Sequence, residues 1–150
     1  MSEVSLKFDG GDKLERALRE IAERVGRADK LKVGFLDDAD YPTGLKVAQV
    51  AFWNEFGTSR APARPFFRNT ISRYSPEWGG NLGKFLKSTK YNVTRSFEMV
   101  GTEIKDEIVE SIARWPADNA ESTVKKKGFN HGLVDSGLMQ RSVDLRIDKG

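Results

Sequence analysis

The chain has no cysteine, a single histidine and no apolar run approaching the length of a membrane-spanning helix. Without cysteine there is neither a disulfide framework nor a thiolate metal site, so folding in a reducing cytoplasm is the default. One histidine cannot supply a zinc site. A bilayer-spanning helix needs roughly 18–20 apolar residues, and the first residues, MSEVSLKFDGG, lack the basic and apolar regions of a signal peptide. The phosphate-cradling GxxxxGKS or GxxxxGKT loop and the dinucleotide-binding GxGxxG turn are both missing.

The remaining candidates for chemistry are weak. His131 stands alone in a polar stretch, and a triad of Ser122, His131 and Asp135 has no nucleophile-elbow pattern behind it. Asp37, Asp38 and Asp40 lack the central glycine and later glutamate of a calcium loop. Glu103 and Glu107 stand one helical turn apart and read as a solvated face. The sequence therefore predicts no catalytic residues, no bound metal and no cofactor.

What is present is charge, unevenly placed. Of 150 residues, 31% are charged and 38% hydrophobic, and the net charge is +3. That length suits one domain over 1–150 with a real core. Its polarity fits much solvated helix surface, or a core completed in an assembly. Residues 57–96 hold eight basic side chains against Glu77 alone. Such a region reads as a solvated face or as a surface for an acidic partner or phosphate backbone.

Hydrophobic periodicity predicts an α+β domain. Strands are expected at 3–8 (Val4, Leu6, Phe8 in phase), 31–36 (Leu31, Val33, Phe35) and 142–148 (Val143, Leu145, Ile147). They form a small mixed or antiparallel sheet of about three strands, packed by about four helices. The first helix, 12–26, starts on Asp12 with Glu15 in capping-box position and carries Leu14, Leu18, Ile21 and Val25 as a stripe to lay on the sheet. The second spans about 44–56 and stops at Gly57. The third starts at Pro65 and runs to about Tyr74, with 75–90 weakened by Gly79, Gly80 and Gly83. The fourth and longest, about 92–115, repeats apolar residues at three-to-four spacing and ends before Pro116. Residues 116–137 read as a mobile, turn-rich loop, in which Asp135-Ser136-Gly137 caps a short turn docked by Leu138 and Met139.

The densest stretch is 47–68, VAQVAFWNEFGTSRAPARPFFR. Val47, Val50, Phe52 and Phe56 are expected to hold the second helix to its own sheet. Pro62 and Pro65 stiffen the loop that follows. Arg60, Arg64 and Arg68 are spaced four apart beside Phe67, and arginine is seldom buried without a partner. With Trp53 and Glu55 they form a candidate subunit interface, because aromatic residues and arginine are enriched at interface cores. Lys125, Lys126, Lys127, Phe129 and His131 form a second candidate contact set. Basic groups interleaved with aromatics also suit a nucleic-acid backbone and stacked bases. A DNA- or RNA-binding accessory protein is therefore the alternative reading.

In the same stretch, VAFWNEFGTSRAPARPFFRNTI resembles the signature of tailed-phage tail-completion, or neck, proteins: a helix ending in Glu-Phe-Gly-Thr, then Pro-Ala-Arg-Pro-Phe and a further helix. The later stretch PADNAESTVKKKGFNHGLVDSGLMQRSV is similar to their second pattern, through Asn119, Ser122, Thr123, Lys127, Gly128, Leu133, Asp135, Ser136 and Gly137. The matches cover roughly 45–147. The resemblance implies a small, non-enzymatic α+β subunit of the virion, made in the host cytoplasm and assembled as a hexameric ring at the head-proximal end of the tail. Its implied partners are further copies of itself, a tail terminator or tail tube protein and the head-side connector. Non-specific contact with genomic DNA is open to its basic region, and no membrane is involved.

Overall fold

The computed structural model describes residues 11–26, 29–36, 39–115 and 137–150. Among them the order is α1 (Gly11–Val25), β1 (Lys30–Gly34), α2 (Val47–Phe56), α3 (Phe66–Ser88), α4 (Val93–Ala113), α5 (Leu138–Arg141) and β2 (Asp144–Asp148). The class is α+β. The expected strand at 3–8 and most of the 116–137 loop lie outside the described residues.

The sheet described is a two-stranded antiparallel ribbon, against about three strands expected. Leu31 pairs with Ile147 and Val33 with Leu145, while Lys32 faces Arg146. Alternation sends the apolar pairs to one face and the charged residues to the other. On the charged face Asp148 takes Lys32 at 2.7 Å and Arg146 at 3.2 Å. Those cations hold its carboxyl below the usual carboxylate range, the Lys32 hydrogen bond contributing most.

Helix α4 covers the apolar face. Asn92 caps it, its side-chain oxygen accepting from the Arg95 N–H at 3.0 Å. Its buried residues include Ser96, Val100, Ile108 and Ile112, a stripe at helical spacing. At Gly101 the ribbon comes so close that a Cβ would lie 3.0 Å from Leu31 Cδ1. The core proper, Val47, Ala51, Phe66, Ile108, Ile112, Met139 and Val143, sits where α2, α3, α4 and α5 meet. Met139 is 2% exposed, so α5 docks as its sequence suggests. α4 ends at Ala113, two residues before Trp115, consistent with a proline at 116 disfavouring helical geometry before it.

Two expectations are corrected. α3 is one helix of 23 residues, so it, and not the 21-residue α4, is the longest among the described residues, and the expected break after Tyr74 is absent. Pro76, Gly79 and Gly80 lie on the exposed side, so the backbone hydrogen bond that Pro76 cannot donate is lost where solvent, not the core, faces the helix. On the inner side Trp78 Nε1 donates to Glu107 at 2.8 Å and Asn81 to Glu103 at 2.7 Å. Packing on α4 outweighs poor local propensity. The second correction concerns α1, which forms over the expected residues but does not lay its stripe on the ribbon. Leu14, Leu18 and Val25 are 44%, 56% and 43% exposed. The ribbon's apolar face is already taken by α4, and its other face is ionic.

The α2 start also moves, from about 44 to Val47. Residues 40–46 fold into a turn instead, with Asp40 and Lys46 bridged through backbone and side chains. No helix among the described residues is long and apolar enough to cross a membrane.

Candidate functional site

The corner between α2 and α3 is built by hydrogen bonds from α2. Gly57 closes α2, its N–H donating to the Trp53 carbonyl at 2.8 Å. It has φ +78°, and a Cβ there would meet Ala63 N at 2.8 Å, so only glycine fits. Thr58 and Ala61 then bridge across a tight turn whose tip is Ser59 and Arg60. The Thr58 hydroxyl accepts from the N–H groups of Arg60 and Ala61. Asn54 fastens the far side: its carbonyl accepts from the Arg64 N–H, and its side-chain oxygen accepts from the Arg64 guanidinium at 2.9 Å.

Pro65 occupies the N-cap of α3 and brings no side-chain acceptor to its open N–H groups. Glu55 supplies one from α2. One carboxylate oxygen accepts from the Phe67 N–H at 2.9 Å; the other accepts from the Arg68 N–H at 3.0 Å and from Arg68 Nε at 2.8 Å. Arg68 also donates to the Glu55 carbonyl. Glu55 is 6% exposed, so this is a buried carboxylate satisfied at a helix N-terminus, where the backbone dipoles favour negative charge. Ser111 of α4 donates to the Phe66 carbonyl at 3.2 Å and fixes the start of α3 on the core.

Outside this clamp lies an apolar surface. Phe52, Trp53 and Phe56 are 56%, 40% and 54% exposed. The rings of Phe52 and Phe56 are 4.8 Å apart, and the Arg68 guanidinium lies 4.7 Å from the centre of the Phe56 ring. Ile71, one turn past Arg68 on the same side of α3, is 40% exposed. The expectation that Phe52 and Phe56 hold α2 to the sheet is thereby corrected. The inward face of α2 is Val47, Ala51 and Glu55, spaced four apart. Phe52 and Phe56 follow Ala51 and Glu55 by one residue, which turns them about 100° away.

Of the expected interface residues, Trp53, Arg60 and Arg68 are exposed and share this corner, and Arg64 is half-buried against Asn54. Glu55 faces inward on α3. Phe67 packs half-buried on the core, edge-on to Phe66 at 6.3 Å. Lys125, Lys126, Lys127, Phe129 and His131 lie outside the described residues. The sequence reading assigned Phe52 and Phe56 to the interior and did not single out Ile71. The four-residue spacing of Val47, Ala51 and Glu55 was the signal that would have turned the two phenylalanines outward.

Elsewhere, Glu103 and Glu107, expected on a solvated face, are corrected to the seam of α3 and α4, where Asn81 and Trp78 donate to them. Burial, outweighing the hydrogen bond from Trp78 and reinforced by the nearby charges of Glu103 and Glu77, pushes the Glu107 carboxyl above its ordinary value. The second oxygen of Glu103 is buried without a hydrogen-bond partner. Among the described residues no group of three or more His, Cys, Asp or Glu is arranged to hold a metal ion. An open cleft of about 440 Å³ lies between the end of α1 and the turn before α4, lined by Glu23, Arg24, Asp29 and 91–94. Comparison with protein-family models, with curated proteins and with solved structures gives no match for this chain.

Proposed function

We propose that this chain is a non-enzymatic structural subunit of a tailed-phage virion that forms a ring in the neck, or tail-completion, layer. The observation that carries the reading is the exposed Phe52, Trp53 and Phe56 surface with Arg68 at its rim and the exposed Arg60 in the adjoining turn. Aromatic residues flanked by arginine are the composition of interface centres. The stretch that builds this surface is the one that resembles the neck-protein signature. Its rigid corner fits the same role, because a loop already fixed by Gly57, Asn54 and Glu55 loses little entropy on binding. In this reading the subunit contacts further copies of itself, a terminator or tube protein on one side and the head-side connector on the other. Light scattering on the purified chain, alone and mixed with terminator or connector, is expected to show a ring-sized species. A monomer that binds neither would overturn the proposal.

A second reading, nucleic-acid binding, is favoured by Arg73, Lys84 and Lys87, which are exposed along one side of α3 with Glu77 the lone acid. Phosphate contact would make affinity fall steeply with salt. Absence of any binding to DNA or RNA at low salt removes it.

A further inference from the structure

Two exposed apolar faces stand out among the described residues, one on α1 and one on α2. The first is the stripe of α1, Leu14, Leu18 and Val25, with Ile21 half-buried between them. α1 packs extensively on none of the other described elements. The Arg24 guanidinium donates to the Lys90 carbonyl at 2.7 Å, just past the C-terminal end of α3. The second face is Phe52, Trp53 and Phe56, joined through Arg68 to the N-terminal end of α3. The helix between Arg68 and Ser88 is about 30 Å long at 1.5 Å per residue. The C-terminal end of α1 and the aromatic surface are anchored at opposite ends of that helix, and the exposure of both faces shows that they do not cover one another within one chain.

We infer that the α1 stripe of one copy docks on the Phe52–Phe56 surface of the next copy, a head-to-tail contact; this rests on the ring reading and names the faces that build it. Three features favour a second copy in this arrangement. Both faces belong to the same chain, so each copy offers what its neighbour lacks. A contact between two different faces repeats at every subunit and closes into a ring when the rotation allows, whereas a face paired with itself stops at a dimer. Charge separates the alternatives further. Two aromatic surfaces brought together would oppose Arg60 and Arg68 to their own copies, whereas α1 carries four acidic and four basic side chains over Gly11–Val25 and meets the arginine rim without net repulsion. The stripe from Leu14 to Val25 is about 16 Å long, long enough to cross Phe52, Phe56 and the neighbouring Ile71.

The test uses the full chain with one face spoiled at a time, Leu18→Glu on α1 or Phe52→Glu on α2. Both positions are exposed, so the circular dichroism and melting of the monomer should stay close to wild type. Each variant alone is expected to associate about 30-fold or more weakly than wild type, as for loss of a central interface residue. Mixed in equal amounts they should form a one-to-one pair that grows no further, because one good face remains on each. A wild-type oligomer that persists in either variant alone overturns the head-to-tail assignment while leaving the ring reading standing. A wild-type chain that stays monomeric with and without terminator and connector overturns both. If a glutamate variant fails to fold, Leu18→Cys and Phe52→Cys chains replace the pair. The natural sequence has no cysteine, so oxidation of the mixture should give a mixed disulfide between them. Its absence under conditions where wild type assembles overturns the inference.

Discussion

Removing the Glu55 carboxylate should unfasten the corner that presents the aromatic surface. The structure gives the size of the effect. Glu55→Ala leaves the Phe67 and Arg68 N–H groups without acceptors at the start of α3. Hydrogen bonds to a charged group contribute about 1.5–3 kcal/mol each, and loss of a helix cap costs about 0.5–2 kcal/mol. The two descriptions overlap, and water can reach part of the freed site, so a loss of about 3 kcal/mol is expected. For a chain of this length that lowers Tm by roughly 6–12 °C. The ion pair itself adds less: the Glu55 side chain is 8% exposed, but the Arg68 side chain is 54% exposed and screened by solvent, and pairs with one member in water contribute about 1 kcal/mol or less. Arg68→Ala should therefore cost about 1 kcal/mol or less. Urea denaturation of the two variants beside wild type separates the cap from the pair. A Glu55→Ala loss under 1 kcal/mol, or an Arg68→Ala loss equal to it, would refute the reasoning.

Other substitutions probe the remaining elements. Gly79→Ala and Gly80→Ala should each raise stability by about 0.5–1 kcal/mol, because both are helical and a Cβ at either meets nothing within 4 Å; a loss on urea denaturation would show that α3 is not helical there. Gly57→Ala should cost more than 1 kcal/mol in the same assay, since the new Cβ meets the Ala63 backbone and φ is positive; an unchanged midpoint would contradict the tight corner. Glu107 has its folded-state pKa raised, so its contribution is fully present below the unfolded carboxylate value and is lost as pH rises through the folded one. Glu107→Gln should accordingly gain stability over wild type at neutral pH, with the gap closing toward about pH 4; a gap that widens on acidification would reverse the sign.

Much of this fold was legible because one pattern dominated each element. α4 is announced by its apolar repeat from Val93 to Ile112 and by the proline at 116. α2 is ended by the only residue its corner admits, Gly57. The α3 segment misled because local propensity there opposes the tertiary outcome. Gly79 and Gly80 read as weak points, yet they fall on the solvent side while Trp78 and Asn81 anchor the inner side. α1 misled in the opposite way. Its stripe correctly predicts an amphipathic helix, but a stripe does not say which surface covers it, and α4 had already claimed the apolar side of the ribbon. At the corner, Trp53, Arg60 and Arg68 were legible as surface from composition alone. Glu55 was legible as a companion of the arginines in the candidate interface, but its task of capping α3 depends on how α2 and α3 meet. Phe52 and Phe56 were assigned inward because large aromatics usually are. The small residue Ala51 and the buried carboxylate of Glu55 take the inward positions instead.

Electron microscopy of the purified full-length chain, at concentrations where light scattering reports assembly, tests the central claim most directly. The account predicts closed rings of uniform subunit number, six by the neck-protein resemblance, that are lost in Phe52→Glu. Isolated monomers at every concentration, or rings that survive Phe52→Glu and Leu18→Glu together, would contradict it.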